Sequence, residues 1–179
     1  GVAATKAAVE FESAFAGVEK TVDGTTEQLA ALRQGILDMA EEIPASTTEI
    51  AAVAEAAGQL GIATDDVLDF TRVMIDLGEA TNLSADEAAS ALAKFANITG
   101  TTADEYSKLG STIVDLGNNF ATTERDIVEM ATRLASAGTV AGLSEQDILA
   151  LSTAMSSVGI NAEAGGTAMT QTMTAISKA

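Results

Sequence analysis

The chain has 179 residues and a formal net charge of -17, and it contains neither cysteine nor histidine. The missing residue types exclude disulfides, thiolate zinc sites and nucleophilic triads that use Cys or His, and the negative charge argues against direct nucleic-acid binding and against anionic lipid surfaces. Hydrophobic residues make up 47% of the sequence but aromatic residues only 3%, so the apolar surface is mostly small and suits close packing of helices.

The first predicted element is an amphipathic helix in the lead-in segment, residues 1–24. Apolar side chains recur in it at helical spacing, at Ala8, Phe11, Phe15, Val18 and Val22. Asp23 and Gly24 interrupt this pattern, and a second helix is predicted to begin at Thr25. It is predicted to end before Pro44, because the residue that precedes a proline is pushed out of the helical region.

One arrangement recurs between residues 25 and 160. A Ser, Thr or Asn that can cap a helix is followed by an apolar helical stretch and a short polar turn, and at most of these caps a Glu, Gln or Asp lies three positions later. The arrangement is clearest where Ser46 and Glu49 form a predicted capping box and Gly58 is predicted to end the helix. The predicted caps follow one another at intervals of 17 to 21 residues and are Thr25, Ser46, Thr64, Ser84, Thr102, Thr123, Ser144 and Asn161.

This repeat of about 20 residues accommodates one helix of about 13 to 15 residues and its turn, and a helix of that length is marginal alone in water. Each helix must therefore pack on its neighbours. The predicted fold class is all-α, an array of about eight to nine short capped helices joined by tight Gly, Asn, Ser and Thr turns. No boundary is predicted within the helical-repeat core, residues 25–160.

The later helices carry apolar stripes that are predicted to face the core. The stripes are Tyr106, Leu109, Ile113 and Leu116, then Ile127, Met130, Ala131 and Leu134, then Ile148, Leu151, Met155 and Val158. Three phenylalanines, Phe70, Phe95 and Phe120, lie one unit or more apart. We interpret them as core residues rather than as a stacking surface.

The last segment, residues 161–179, differs in composition. Gly165 and Gly166 are predicted to allow a hinge before a weakly amphipathic helix, whose apolar positions are Met169, Met173 and Ile176. Because the chain starts without methionine and ends within the pattern, we interpret it as a piece of a longer protein.

No residue is predicted to be catalytic or to bind a cofactor or a metal, and the chain is not expected to be an enzyme. The hydroxyl groups lack a neighbouring base, acidic pairs such as Asp86 with Glu87 lie in first helical turns, and no stretch has the spacing of a calcium loop. Three alternatives stay open: a free-standing acidic helical-repeat adaptor that binds a protein partner, a glycan hydrolase with two carboxylates, and an acidic DNA mimic.

Five blocks of sequence resemble, in order, the core region of the tape measure proteins of tailed phages and prophages. The blocks are EFESAFAGVEKTVDGT (10–25), AEAAGQLGI (54–62), VMIDLGEATNLSADEAASALAKFANITG (73–100), LGSTIVDLGNNFATTERDIVEMATRLA (109–135) and LSTAMSSVGINAEAGGTAM (151–169). Several linked blocks are more specific than any single motif in this chain, and together they cover nearly all of it.

The resemblance implies a structural role in the virion. Proteins of that family lie in the lumen of the growing tail tube, set its length, and leave ahead of the DNA at infection. The implied partners are the tail tube protein, tail assembly chaperones and tail tip proteins. The resemblance also implies a stay in the host cytoplasm during assembly, and it allows an oligomer in the tail and membrane contact during ejection. The family offers no catalytic residues to assign.

Overall fold

The computed structural model describes residues 2–176, which form nine α-helices and no strand. The helices are α1 (Val2–Thr21), α2 (Thr26–Glu42), α3 (Thr47–Gln59), α4 (Val67–Ala80), α5 (Ala85–Thr99), α6 (Tyr106–Asn119), α7 (Glu124–Val140), α8 (Glu145–Ser157) and α9 (Ala162–Ile176). Single turns of 3-10 helix at Thr64–Asp66 and Ala103–Glu105 lead into α4 and α6. The predicted all-α array of short capped helices is confirmed.

Packing divides the chain into two compact units. Unit 1 comprises the residues up to Glu79 together with Ser84–Ser90, and unit 2 comprises Ala80–Leu83 together with the residues from Ala91 onward. The division passes through α5, where the composition of the sequence does not change. The segments 1–24, 25–160 and 161–179 follow composition and turn signals, whereas the two units follow packing, so the two divisions differ.

Most helices begin at the predicted caps. Seven of the eight predicted caps form hydrogen bonds with the first turn of their helix, namely Thr25, Ser46, Ser84, Thr102, Thr123, Ser144 and Asn161. At four of them the side chain three residues later accepts the N–H of the cap, as in a capping box: Thr25, Ser84, Thr102 and Ser144. These bonds satisfy N–H groups that a helix start otherwise leaves without a partner.

One predicted cap is wrong and another forms in part. Ala63, not Thr64, occupies the cap position before α4. The Thr64 hydroxyl instead donates to the carbonyl oxygen of Asp23 in the turn between α1 and α2, so it joins two turns rather than starting a helix. At α3, the structure forms the bond of the predicted box in which the Glu49 N–H donates to Ser46 Oγ, at 3.2 Å.

The predicted end of α3 near Gly58 is correct to within one residue, but Gly58 is not the glycine that closes the helix. The helix continues to Gln59 and is closed by Gly61, whose φ is 80°. With Gly61 in the left-handed region, the Ile62 N–H reaches back to the Ala57 carbonyl oxygen at 3.0 Å, which is the Schellman arrangement. Gly58 remains inside α3.

Four helix ends share this closure. Within the described residues, the glycines with positive φ are Gly61, Gly100, Gly142 and Gly159, at 79–82°, and they follow α3, α5, α7 and α8. The residue after each glycine donates to a carbonyl five positions earlier, at 2.9–3.1 Å. By contrast, α2 and α6 end at Ile43 and Phe120, both in extended conformation.

From α2 to α7 the two kinds of helix end therefore alternate, and the structural repeat is a pair of helices. The caps of the second helix in each pair are 38, 39 and 38 residues apart, at Ser46, Ser84, Thr123 and Asn161. The predicted spacing of about 20 residues marks one helix. The complete unit has about twice that length because its two turns differ.

The core of each unit is built around one central helix. In unit 1, α3 packs against α1 and α2, and in unit 2, α7 packs against α6, α8 and α9. The large side chains that are fully buried are Ile36, Ile50, Phe70, Met74, Leu92, Phe95, Leu109, Ile113, Ile127, Met130, Leu134 and Ile148. The predicted stripe on α7 is fully buried, and that on α6 is buried except for the half-buried Leu116.

The predicted stripe on α8 is wrong in part. Ile148 is buried, but Val158 is 74% exposed, and the buried face of α8 includes Ser152 and Thr153. These hydroxyls donate to the carbonyl oxygens of Ile148 and Leu149, at 2.6 and 2.8 Å. Because their hydrogen bonds are satisfied within the helix, they can be buried at little cost.

The predicted hinge at Gly165 and Gly166 does not form, because both glycines are buried inside α9. A Cβ at Gly165 would lie 2.8 Å from Met130 Cε of α7, and a Cβ at Gly166 would lie 2.9 Å from Arg133 Cβ. The pair therefore lets α9 approach α7 closely rather than letting the chain bend.

We expect Gly61→Ala to lower the free energy of unfolding by about 1 kcal/mol, because alanine is strained in the left-handed region. A Cβ at Gly61 would touch nothing within 4 Å, so the loss is conformational and not steric. Gly61→Asn is the matched control and should lose less, since asparagine tolerates this region better. Urea unfolding followed by circular dichroism measures both, and equal losses would contradict the assignment.

Two glycines in the contact between α1 and α3 should respond to alanine with opposite signs. A Cβ at Gly58 would lie 2.8 Å from the backbone carbonyl carbon of Thr21, so Gly58→Ala should destabilise by about 1 kcal/mol despite its gain in helix propensity. A Cβ at Gly17 meets only the flexible carboxylate of Glu55, so Gly17→Ala should be neutral or stabilising by up to about 1 kcal/mol. Thermal unfolding of the two variants tests this, and a shared sign would be the contrary result.

Candidate functional site

The described residues contain no group of three or more acidic side chains placed to hold a metal ion. In the same part of the chain, no helix combines the length and the apolarity that crossing a membrane requires. The structural features that distinguish this chain are its turns, its charge and its exposed apolar side chains.

Hydrogen bonds join residues between the α-helices to neighbouring helices. In unit 1, the Gln28 side-chain amide donates to Asp65 at 3.1 Å. In unit 2, the Thr122 hydroxyl donates to Ser156 Oγ at 2.7 Å, and the Thr101 hydroxyl donates to the Glu145 carboxylate. The turns are thus fixed to the helices beside them and present their remaining side chains in a defined arrangement.

A further bond of this kind uses an arginine. The Arg125 guanidinium at the start of α7 donates to the carbonyl oxygen of Asn82 at 2.9 Å, and the Arg125 N–H donates to Asn82 Oδ1 at 3.2 Å. The guanidinium of Arg125 therefore contacts a backbone carbonyl of the turn between α4 and α5.

The negative charge is unevenly distributed. Residues 1–90 contain 17 acidic and four basic residues, and residues 91–179 contain nine acidic and five basic residues. Ion pairs join Lys6 to Glu10, Arg33 to Glu12, and Arg72 to Glu42. These pairs lie in unit 1 and are exposed, so they contribute little to stability.

Two carboxylates in unit 2 have lowered pKa values because they accept hydrogen bonds from the helix caps. Glu105 accepts the Thr102 N–H at 3.0 Å and the Thr102 hydroxyl at 2.8 Å, and these bonds lower the pKa of Glu105 below its usual value. Asp147 accepts the Ser144 hydroxyl at 2.6 Å and the Ser144 N–H at 3.0 Å, which lowers the pKa of Asp147. Hydrogen bonds to the charged form favour ionisation. The lowered pKa values of the two carboxylates therefore result from their part in capping helices.

Phe70 and Phe95 are buried as predicted, but the prediction for Phe120 is wrong. Phe120 is 54% exposed, and it follows the last residue of α6 in extended conformation. The signal that separates it lies in the three preceding residues, Gly117, Asn118 and Asn119, which are typical of a helix end, whereas Phe70 and Phe95 lie within helices.

Phe120 belongs to a small apolar surface in unit 2, which we call the turn patch and define as Phe120, Val158 and Ile160. Val158 is 74% exposed and Ile160 is 40% exposed. The bond between Thr122 and Ser156 brings the turn that follows α6 beside the end of α8. The turn patch therefore combines side chains from the turns that follow α6 and α8.

A shallow groove of about 400 Å³ runs between α7 and α9. It is lined by Arg133, Gly166, Thr167, Thr170 and Gln171. The stem of Arg133 lies against Gly166, so the arginine covers the close approach of the two helices. The groove has no carboxylate in its lining and is open to solvent.

The structure is that of a protein built from paired helical repeats, with a small exposed apolar surface and a negative net charge. A family model described as phage-related minor tail protein matches residues 33–179, which is most of the chain. The chain belongs to this family and is a structural component of a phage tail. No curated protein and no solved structure matches the chain.

Membership of this family has consequences for location and partners. A phage tail protein is part of the virion, and it contacts other components of the tail. The part of the chain that the family model matches includes α3 to α9 and the turn patch, so the helical repeats described above are those of a tail protein.

The capping carboxylates should give unit 2 a stability that depends on pH. Their pKa values are lowered in the folded chain, so the unfolded chain binds more protons and stability rises with pH. The contribution is complete above the ordinary values of 4.5 for Glu105 and 3.8 for Asp147, and it is lost as pH falls through the lowered values. The double variant Glu105→Gln, Asp147→Asn should therefore lose less stability than the parent chain between about pH 5 and pH 2.

Urea unfolding at a series of pH values measures this effect. Glu129→Gln is the control, because it removes one carboxylate from the middle of α7. The free energy of unfolding of the control should depend on pH as that of the parent chain does. If the double variant showed the same dependence as the parent, the role of the two caps would be refuted.

Proposed function

We propose that this chain is the core region of a tape measure protein, which lies in the lumen of the tail tube and sets its length. Membership of the minor tail family over residues 33–179 supports a tail role, and the ordered blocks of similar sequence support the finer assignment. In this proposal the partners are the tail tube protein, tail assembly chaperones and tail tip proteins. The role is mechanical and requires no catalytic residue.

The observation that carries the proposal is the repeating pair of helices closed by glycine. A folded pair is short, because its second helix returns beside the first, whereas the same residues as one continuous helix span about 1.5 Å each. Gly61, Gly100, Gly142 and Gly159 are the residues that must leave the left-handed region for the described chain to straighten. Glycine makes this change without the steric cost that other residues have.

The composition supports such an opening. Central helix α3 contributes Ala51, Ala54 and Ala57 to the core, and small side chains lose less transfer free energy on exposure than large ones. Pro44 would still bend an opened chain, because proline does not fit a helix interior. We infer that the repeats are folded before assembly and extended in the tube.

The charge fits the same role. DNA and this chain would share the lumen, and a formal charge of -17 limits their adhesion. In this proposal the chain is assembled into tails in the host cytoplasm and leaves ahead of the DNA at infection, with membrane contact at that stage.

The proposal predicts that tail length follows the number of helix pairs. An in-frame deletion of residues 25–62 removes α2 and α3 from the parent gene and leaves the turn patch in place. The 38 residues would span about 57 Å as continuous helix. We expect tails to be shorter by about this length, as measured by electron microscopy of negatively stained phage.

A tandem duplication of the same residues is the matched control, and it should lengthen the tails by the same amount. Tails of parental length from both variants would contradict a ruler role for this region and would favour an adaptor that binds a partner in compact form.

A further inference from the structure

The turn patch contains an exposed phenylalanine, whereas the other phenylalanines of the chain are buried. Phe120 is 54% exposed, whereas Phe11, Phe15, Phe70 and Phe95 are at most 4% exposed. Leaving a phenylalanine in water forgoes the free energy of its burial. Aromatic side chains at such positions are typical of the centre of a binding interface.

The patch is held in place by its surroundings. The Phe120 N–H donates to the Leu116 carbonyl oxygen at 3.1 Å, which fixes the backbone at the end of α6. Two residues later, Thr122 bonds to Ser156 of α8. A surface fixed in this way loses little conformational freedom when a partner binds.

Four carboxylates lie near the residues of the turn patch along the chain, towards the end of α6 and in the first turns of α7 and α9. They are Asp115, Glu124, Asp126 and Glu163. Asp115 bonds to the Asn119 side chain next to Phe120, at 2.9 Å, and Glu124 lies against Gly117, three residues before Phe120. None of these four carboxylates takes part in the ion pairs described for unit 1, so their charges can attract a basic partner.

We propose that the turn patch is the docking site for a basic amphipathic helix of another tail component. The apolar stripe of such a helix would cover Phe120 and Val158, and its flanking Lys or Arg side chains would reach the four carboxylates. Helices that bind in this mode use apolar anchors at i, i+3 or i+4 and i+7, and complementary charges set the specificity and the rate of association.

The negative charges of the four carboxylates favour a basic helix over two other partners, a second copy of the chain and an anionic lipid surface. A second copy of the chain would bring the same four carboxylates against their equivalents, and like charges at an interface oppose association. An anionic lipid surface would be repelled for the same reason. A basic helix meets both the apolar turn patch and the four carboxylates.

This inference rests on the tail role proposed above, since it names the chemistry of a partner in the tail. Its test is separate from tail length, because it measures binding by the purified 179-residue chain. The deletion of residues 25–62 can change tail length whether or not the turn patch binds a helix. Likewise, the turn patch can bind a helix whether or not the deletion changes tail length.

The probe is a labelled synthetic peptide of about 15 residues, with leucines on one helical face and lysines on the others, and binding is measured by fluorescence anisotropy. Phe120→Ser and Val158→Ser change exposed side chains, so the fold should be retained, and circular dichroism checks this. We expect each to weaken binding by about tenfold or more. Val140→Ser is the matched control, since Val140 is 77% exposed at the far end of α7, and it should change affinity by less than about twofold.

Three results would overturn the proposal. The first is equal weakening by Phe120→Ser and Val140→Ser, which would mean that charge alone attracts the peptide. The second is equal binding of a peptide with glutamate in place of lysine. The third is concentration-dependent self-association in sedimentation that Phe120→Ser abolishes and the lysine peptide does not compete with, which would make a second copy the occupant.

Discussion

The architecture depends on a backbone conformation that only glycine adopts easily. Each of α3, α5 and α7 is closed by a glycine with φ near 80°, and the residue after it returns a hydrogen bond to the helix it leaves. This closure ends the second helix of each of these pairs. Because the Cβ that these glycines lack would meet no neighbour, the requirement comes from the backbone alone and not from packing.

A second group of glycines serves packing instead. Gly58, Gly165 and Gly166 lie inside helices, where a Cβ would collide with the adjacent helix. Together with the many alanines, they allow close helix contacts in a chain with few aromatic residues. Contacts of this kind hold each unit together with modest burial per residue, which is compatible with a protein that is folded in one state and extended in another.

Much of the fold could be predicted from the sequence because its signals are local. Ser84 with Glu87 and Ser144 with Asp147 mark helix starts through bonds between residues three positions apart. The two roles of glycine could not be separated in this way. Gly58 and Gly61 are three residues apart near the same helix end, and the contact of Gly58 with the end of α1 appears only in the folded chain. The exposure of Phe120 and the serine-threonine face of α8 likewise depend on which neighbours a helix meets.

The central claim is that helix pairs are folded in the free chain and extended in the tail, and a distance within one pair tests it directly. The chain has no cysteine, so spin labels can be attached to cysteines introduced at the exposed positions Ser107 of α6 and Ser136 of α7. In a folded pair the two helix axes lie about 10 Å apart, whereas a continuous helix separates these positions by about 44 Å. Pulsed electron paramagnetic resonance should give a short distance for the free chain and a distance near the longer value in assembled tails. A short distance in both would contradict the account.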